Sequence, residues 1–323
     1  MRGPVRAAFH DLAPAAESFR DCVLEGLGRR AKAIPCRFLY DARGSMLFEA
    51  ICELPEYYPT RTETAILGAY APEIAALMGP HCQLVEFGSG SSRKVRLLLN
   101  ALVDPEAYVA IDISREALRH AANSLAAALP GLAVVAVCAD YMRPLELPEL
   151  PAGGGGRSLG FFPGSTIGNL DPATAIEFLV GCRSVIGADG AMLVGVDLKK
   201  DPTLLHAAYN DSAGVTAAFN LNLLERINRE LSGDFNLARF SHDAFYNERV
   251  GRIEIYIRSR ADQIVTVAGR RFRFANGERI HTEDSWKYTI SEFQQLAARA
   301  GYRAVRCWTD PAALFSVHLL TLS

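Results

Sequence analysis

The stretch "QLVEFGSGSSRKVRLLLNAL", residues 83–102, joins a short apolar run to a glycine–serine turn and then to a run with helical spacing. Five residues are too few for a helix and suit a buried strand. The glycines stop it, and "RKVRLLLNAL" reads as the helix that follows. The same alternation continues downstream. "AYVAIDI" is a second strand ending in Asp112, and "SREALRHAANSLAAAL" a helix with Ser114 as its cap. "LAVVAVCAD" is a third strand ending in Asp140, and "SLGFF" a fourth. "DPATAIEFLVGCRSVI" opens as a helix on Asp171 and Pro172, and "GAMLVGVD" is a fifth strand ending in Asp197. Apolar strands alternating with helices predict an α/β chain whose parallel sheet is covered on both faces.

Outward from this block the texture differs. The first 60 residues read mostly as helix, in "ESFRDCVLEGLG" and "GSMLFEAICEL". A break is expected at Pro59, a cap at Thr60 or Thr62, and a helix from there to about Met78. After Asp197, helical text runs from Pro202 to Leu231. Strand-like text follows in "ARFSHDAFYN", "RIEIYIRSR" and "RRFRFANG", and short alternating runs of this kind pair antiparallel. One more helix, "ISEFQQLAARAG", and two strands, "RAVRCWTD" and "FSVHLLTL", close the chain. The expected division is a nucleotide-binding core of residues 61–198 and 287–323, with a second unit from 1–60 and 199–286. The glycine run 153–156 reads as a flexible loop.

The chain has 323 residues, 50% apolar and 22% charged, with net charge −2. That length allows one large or two moderate domains with a substantial core. The near-neutral balance argues against a nucleic-acid surface. No apolar run approaches the roughly 18 residues of a membrane helix, and the N-terminus lacks the pattern of a secretory signal. Seven cysteines are scattered without a C-x-x-C pair. Reduced thiols in a cytoplasmic protein are expected, with no membrane, nucleic-acid or obligate protein partner. The seven histidines show no metal-ligand spacing.

The glycine turn points to a ligand. Gly88 and Gly90 permit close backbone approach, and a helix starting near Ser91 aims its free N–H groups at the same place. A dinucleotide site would carry a third glycine where Arg93 stands. S-adenosylmethionine needs only the short glycine loop and an acid ending the second strand to hold the ribose hydroxyls. Asp112 is that acid, Asp140 is placed for the adenine edge, and Lys94 for the methionine carboxylate. The alternative for both acids is that they cap the next helix or turn.

Five longer motifs carry a resemblance. "LPEYYPTRTE", "EFGSGSSRK", "FPGSTIGNL", "YNDSAGVTAAFNLNLL" and "TEDSWKY" together resemble the histidine-specific Nα-methyltransferases of the ergothioneine pathway, in the same order and over nearly the whole chain. The resemblance implies a Rossmann-like class I methyltransferase core with an inserted α+β substrate-binding domain. It implies transfer of three methyl groups from S-adenosylmethionine to the α-amine of L-histidine, giving hercynine. Cofactor contacts carry over to Gly88, Lys94, Asp112, Asp140 and Tyr141, the last standing where many members have Phe. Substrate contacts carry over to Tyr40, Tyr57, Gly164, Asn169 and Tyr209, with Phe219 as a pocket wall. Glu283 and Ser285 match the pair that holds the imidazole. Ile255 departs from the Met of some relatives, which leaves the pocket apolar but reshaped.

Methyl transfer needs a neutral amine about 3 Å from the methyl and in line with the departing sulfur. The protein must therefore grip the rest of the amino acid without trapping an ammonium. Hydroxyls and an amide do this without fixed charge. Tyr57, Tyr209 and Asn169 are candidates for the α-carboxylate, and Tyr40 for the amine. Two other chemistries stay open at this point, an N-methyltransferase for an indole amino acid and a nicotinamide-dependent oxidoreductase. Glu283 favours imidazole, whose N–H donates well to a carboxylate. Glu283 and Ser285 alternate with Asp284, so Asp284 is expected on the opposite, solvated side.

Overall fold

The computed structural model describes residues 7–12, 18–89, 93–148 and 156–323. Gly90, Ser91 and residues 153–155 of the glycine run lie outside the described residues. In chain order the first elements are β1 (Ala8–Asp11), α1 (Phe19–Gly28), β2 (Lys32–Ala33), α2 (Ala42–Cys52) and α3 (Tyr58–Met78). Next come β3 (Gln83–Phe87), α4 (Arg93–Ala101), β4 (Ala107–Asp112), α5 (Arg115–Ala128), β5 (Ala133–Cys138), β6 (Ser158–Phe162), α6 (Pro172–Ile186) and β7 (Ala191–Asp197). Then follow α7 (Pro202–Tyr209), α8 (Val215–Leu231), β8 (Phe240–Asn247), β9 (Arg252–Ser259), β10 (Gln263–Val267), β11 (Arg270–Phe274) and β12 (Arg279–Trp286). The chain closes with α9 (Ile290–Arg299), β13 (Tyr302–Thr309) and β14 (Phe315–Leu322).

The chain forms two compact units. The first comprises Met1–Ala15, Arg61–Leu198 and Tyr288–Ser323. The second comprises Ala16–Thr60 and Lys199–Lys287.

The first unit holds an eight-stranded sheet in the order β1-β5-β4-β3-β6-β7-β14-β13. Strands β1 and β3–β7 run parallel, and β14 is antiparallel to both of its neighbours, β7 and β13. The central parallel strands β3–β7 are largely apolar and buried, because helices cover both faces. Leu84, Tyr108, Ala110, Val134, Leu159 and Leu193 pack with Ile66, Ile74, Leu98, Leu118 and Leu125 into one core. Strand order reverses between β3 and β6, so the crevice at their carboxyl ends is where ligands of such sheets bind. Inserted residues 199–287 leave and rejoin this unit side by side: Leu198 and Tyr288 form an isolated bridge, and Tyr288 N–H donates to Asp197 O at 3.2 Å.

The N-terminal residues differ from expectation. Ala8–Asp11 pair with β5 at the sheet edge instead of joining the second unit. Four residues that continue a parallel edge need little pattern of their own. Helix α3 starts at Tyr58, so Pro59 opens it instead of breaking the chain there, and it also contains Pro72. Proline is tolerated in a first turn, where its missing N–H has no helical acceptor.

In the second unit β2, β12, β9 and β8 form a four-stranded sheet in that order, and β10–β11 a separate hairpin. Helix α8 buries Phe219, Leu223, Leu224 and Ile227 and packs against α2, β8 and β9. The helical text expected from Pro202 to Leu231 is two helices, separated where Asp211 accepts the N–H groups of Val215 and Thr216 at 2.8 Å each and so caps α8.

Candidate active site

In the first unit, Gly88 follows β3 with φ +78, a conformation side chains rarely adopt. A Cβ there would sit 3.5 Å from the Tyr141 hydroxyl. The Tyr141 ring thus lies over the turn, held edge-on by Phe87, Phe162 and Phe178 at 5.8–6.4 Å. Asp112 ends β4, and its Oδ1 accepts Ser114 N–H at 2.7 Å. Burial pushes its carboxyl up to about 6, against the backbone N–H bonds from Ser114, Ile113 and Ser89. Ser114 makes no side-chain cap bond, so Asp112 does the turn-closing expected of the serine. Asp140 lies two residues beyond β5, whose last residue is Cys138. It accepts Met142 N–H at 3.0 Å and pairs with Arg143 at 3.3 Å. Both acids therefore serve local turns.

A buried charge cluster stands at the switch point. Glu63 of α3 is fully buried, and its Oε2 accepts from Lys94 Nζ at 2.5 Å and from Gly164 N–H at 2.8 Å. Its Oε1 has no hydrogen-bond partner among the described residues. Gly195 on β7 makes room for it: a Cβ there would meet Oε1 at 2.0 Å. Lys94, on the helix after β3, is thus tied to Gly164, on the loop after β6. Ser165, next in that loop, accepts Asp197 N–H at 2.9 Å, and a short 3-10 turn, Thr166–Asn169, brings Asn169 to a half-buried position. Glu86, on β3, is committed elsewhere. It accepts the Tyr108 hydroxyl, and burial pushes its carboxyl up to about 7.

These residues fit S-adenosylmethionine: a glycine turn lidded by an aromatic ring, a strand-end carboxyl half-raised by burial, and a lysine at the switch point. Sequence reasoning missed Glu63, although its motif was in view. Its partners lie 31 and 101 residues away, and nothing local marks them.

In the second unit the predicted substrate residues Tyr40, Tyr57, Tyr209 and Phe219 gather around aromatic rings, whereas Gly164 and Asn169 belong to the first unit. Tyr40 packs edge-on against Phe48 at 5.5 Å and Phe219 at 5.3 Å. Phe48 reaches Tyr57 at 6.3 Å, and Tyr57 reaches Tyr209 at 6.2 Å. Phe48 was read only as part of a helix. It joins the cluster because Asp41 fixes α2, accepting Gly44 N–H at 2.8 Å, Asn222 Nδ2 at 2.7 Å and Arg229 at 2.6 Å. A methylated ammonium is well received by such faces.

Strand β12 supplies the polar side. Glu283 pairs across with Ile255 and Ser285 with Ile253, after a bulge between His281 and Glu283. Tyr209 Oη lies 2.9 Å from Ser285 Oγ, and Lys287 Nζ donates to both at 2.8 Å. Burial pushes the Glu283 carboxyl up to about 7, with the Asp284 charge adding and the Lys287 charge opposing. Burial, with the Glu283 charge, likewise pushes the Cys36 thiol up to about 12, so it stays protonated.

Asp284 departs from expectation. It is not a solvated bystander: it is half-buried, accepts from His281 Nε2 at 2.9 Å and pairs with Arg252 at 3.1 Å. Alternation does turn it away from Glu283, but toward a charged ladder on the sheet instead of water. Lys287 was passed over as well, though it follows Glu283 and Ser285 at the same two-residue spacing.

Comparison with known proteins places the family. A family model described as histidine-specific, S-adenosylmethionine-dependent methyltransferase matches residues 19–322. The histidine N-alpha-methyltransferase of Mycolicibacterium smegmatis is 44% identical, over 94% of this chain and 95% of its own. That of Mycobacterium tuberculosis is 39% identical, over 94% of each chain. Among solved structures, a possible exported protein from Bordetella parapertussis shares the fold at TM-score 0.50 and 14% identity, covering 93% of this chain and 86% of its own. The chain belongs to the S-adenosylmethionine-dependent, histidine-specific methyltransferases.

Proposed function

We propose that the protein transfers three methyl groups from S-adenosylmethionine to the α-amine of L-histidine, giving hercynine, the first step of ergothioneine biosynthesis. The observation that carries this reading is a family match running over residues 19–322, in relatives that align with almost the whole chain.

When bound, S-adenosylmethionine supplies an electrophilic methyl on a sulfonium. The protein's own residues then have three tasks. The first is to hold the ring: Glu283 accepts one imidazole N–H, a charged hydrogen bond worth about 1.5–3 kcal/mol. The second is to hold the α-carboxylate with neutral donors, the work assigned to the Tyr57 and Tyr209 hydroxyls. The third is to leave the amine free to lose a proton before each transfer. Tyr40, 37% exposed at the edge of the aromatic cluster, is assigned to the amine because a hydroxyl accepts its N–H without fixing it as a cation. Three protons leave in all, and the product ammonium carries no N–H. Aromatic faces rather than hydrogen-bond acceptors then suit it.

The test is direct. Purified protein with S-adenosylmethionine and a panel of amino acids is followed by mass spectrometry. Mono-, di- and trimethylated histidine is the expected outcome. Silence on histidine with turnover on tryptophan would overturn the assignment.

A further inference from the structure

Strand β12 carries one residue more than its pairing with β9 needs, and the extra residue decides which way its acids face. Before the bulge, Ile280 stands opposite Ile257 and His281 opposite Tyr256. Beyond it, Glu283 stands opposite Ile255, Asp284 opposite Glu254 and Ser285 opposite Ile253. Residues directly opposite share a face of the sheet. Ile253, Ile255 and Ile257 are buried on one face, and Arg252, Tyr256 and Arg258 alternate with them on the other. Strict alternation from Ile280 would put Asp284 on the isoleucine face and Glu283 on the other, opposite Glu254. The extra residue, Thr282, reverses the two. The contact of His281 Nε2 with Asp284 at 2.9 Å records the reversal, because residues three apart on a regular strand point to opposite faces.

Two buried side chains hold the bulge. Thr282 and Asn220, the latter on α8, are each 1% exposed. The Thr282 hydroxyl lies 2.8 Å from Asn220 Oδ1 and 3.1 Å from the Ile255 carbonyl, both acceptors. The Asn220 amide donates to the Tyr256 carbonyl at 2.9 Å and faces His242 Nδ1 at 3.0 Å. The carbonyls on either side of the register shift are thus both engaged. A backbone carbonyl only accepts, which fixes the amide nitrogen on this side and makes His242 Nδ1 an acceptor too. The imidazole hydrogen then sits on Nε2 and goes to the Tyr209 carbonyl at 2.8 Å. One network joins the bulge before Glu283 to the end of the helix that presents Tyr209.

Resting on the reading that Glu283 accepts an imidazole N–H, we propose that Thr282 and Asn220 are positioning residues that set the preference for histidine. They hold the bulge that turns Glu283, instead of Asp284, to the face of Ile253 and Ile255. With regular pairing that face would receive Asp284 and Trp286 in place of Glu283 and Ser285. The carboxylate there would be one methylene shorter, and the hydroxyl beside it would be gone.

The test is a double-mutant cycle read by calorimetry of L-histidine binding, with S-adenosylhomocysteine present so that no methyl is transferred. Thr282→Val keeps the shape and loses the hydroxyl, and Thr282→Ser keeps the hydroxyl. Thr282→Val should raise the Kd for histidine about tenfold, the lower end of what losing a charged hydrogen bond costs. Thr282→Ser should stay near the wild type. In a Glu283→Ala background, Thr282→Val should weaken histidine by no more than about twofold further, because the group it aims is gone. Asn220→Leu should show the same pattern in both backgrounds, and S-adenosylhomocysteine affinity should hold in every variant. Equal losses with and without Glu283 would make Thr282 and Asn220 merely structural and overturn the proposal alone. If Thr282→Val does not fold, Thr282→Cys, close in size with a weaker donor, carries the same cycle. A Glu283→Ala protein that binds histidine as tightly as the wild type would sink the ring assignment itself, and the proposal with it.

Discussion

Glu63→Gln separates the charge of the buried cluster from its shape. Glu63 Oε2 accepts both Lys94 Nζ and Gly164 N–H. An amide oxygen in that place keeps both contacts, and the NH2 falls where Oε1 now has no partner. Only the charge is removed. The side chains are 12% and 0% exposed for Lys94 and Glu63, so water screens little of the loss. Removing one partner of a buried pair costs about 3–5 kcal/mol, and the retained contacts place the expected cost near 3 kcal/mol. In a unit of 150–250 residues that lowers Tm by about 6–12 °C. Lys94→Met strands the carboxylate instead and should cost as much or more. The double variant buries no charge. It should be more stable than the sum of the singles predicts by about 2 kcal/mol or more. Thermal and urea unfolding of the four proteins supply the cycle. Additivity within about 0.5 kcal/mol would refute the coupling. The cycle also bears on the cofactor: if Lys94 holds the methionine carboxylate, S-adenosylmethionine should raise the Tm of Glu63→Gln more than that of the wild type.

Glu283→Ala should raise KM for histidine by about 10- to 150-fold, from the 1.5–3 kcal/mol of a charged hydrogen bond. Calorimetry should show cofactor binding nearly unchanged, and equal loss for both ligands would reject the assigned role. Asp112 titrates near 6, so S-adenosylmethionine affinity should fall as pH drops through that value and the acceptor is protonated. An Asp112→Asn variant should be weaker and flat across the same range. The raised carboxyl also has a stability sign: its favourable contribution is complete below about pH 4 and is lost as pH rises through about 6, which unfolding against pH would register. Gly195→Ala drives a Cβ into Glu63 Oε1 at 2.0 Å and should cost more stability than the few tenths to 1 kcal/mol of an ordinary exposed glycine change. Denaturant midpoints decide it.

The sheet was legible because a doubly covered parallel strand must be largely apolar, and the acids Asp112 and Asp197 mark the ends of β4 and β7. The insertion was legible because its strands alternate. Elements defined by a neighbour rather than by their own pattern were not. β1 is four residues whose only reason to be a strand is the free edge of β5. Pro59 reads locally as a break, yet in a first helical turn its defect costs nothing. Among site residues, Glu63 depends on partners brought together by the fold, and Phe48 on the docking of α2. Lys287 differs from these. The alternation that separated Glu283 from Asp284 extends two residues further to reach it, but β12 ends at Trp286, and a lysine at a strand end is ordinarily a solvated one.

The pairing of Asp284 bears on the chemistry as much as the position of Glu283 does. An amine that must shed a proton before each of three transfers is poorly served by an uncompensated carboxylate, which would favour the ammonium. The second unit has two acids side by side on β12, and it disarms them differently. Asp284 is matched by Arg252 and His281. Glu283 feels the opposing charge of Lys287, and burial has already lifted its carboxyl to about 7. A carboxyl poised there accepts a ring N–H readily while exerting a weaker pull on a distant ammonium than a fully ionised surface acid would. Around it the groups assigned to the amino-acid backbone are hydroxyls and rings, which orient without fixing a proton. On the proposed assignment of Glu283 to the ring, ionic recognition is confined to the side chain, and the amine keeps the freedom to become a nucleophile.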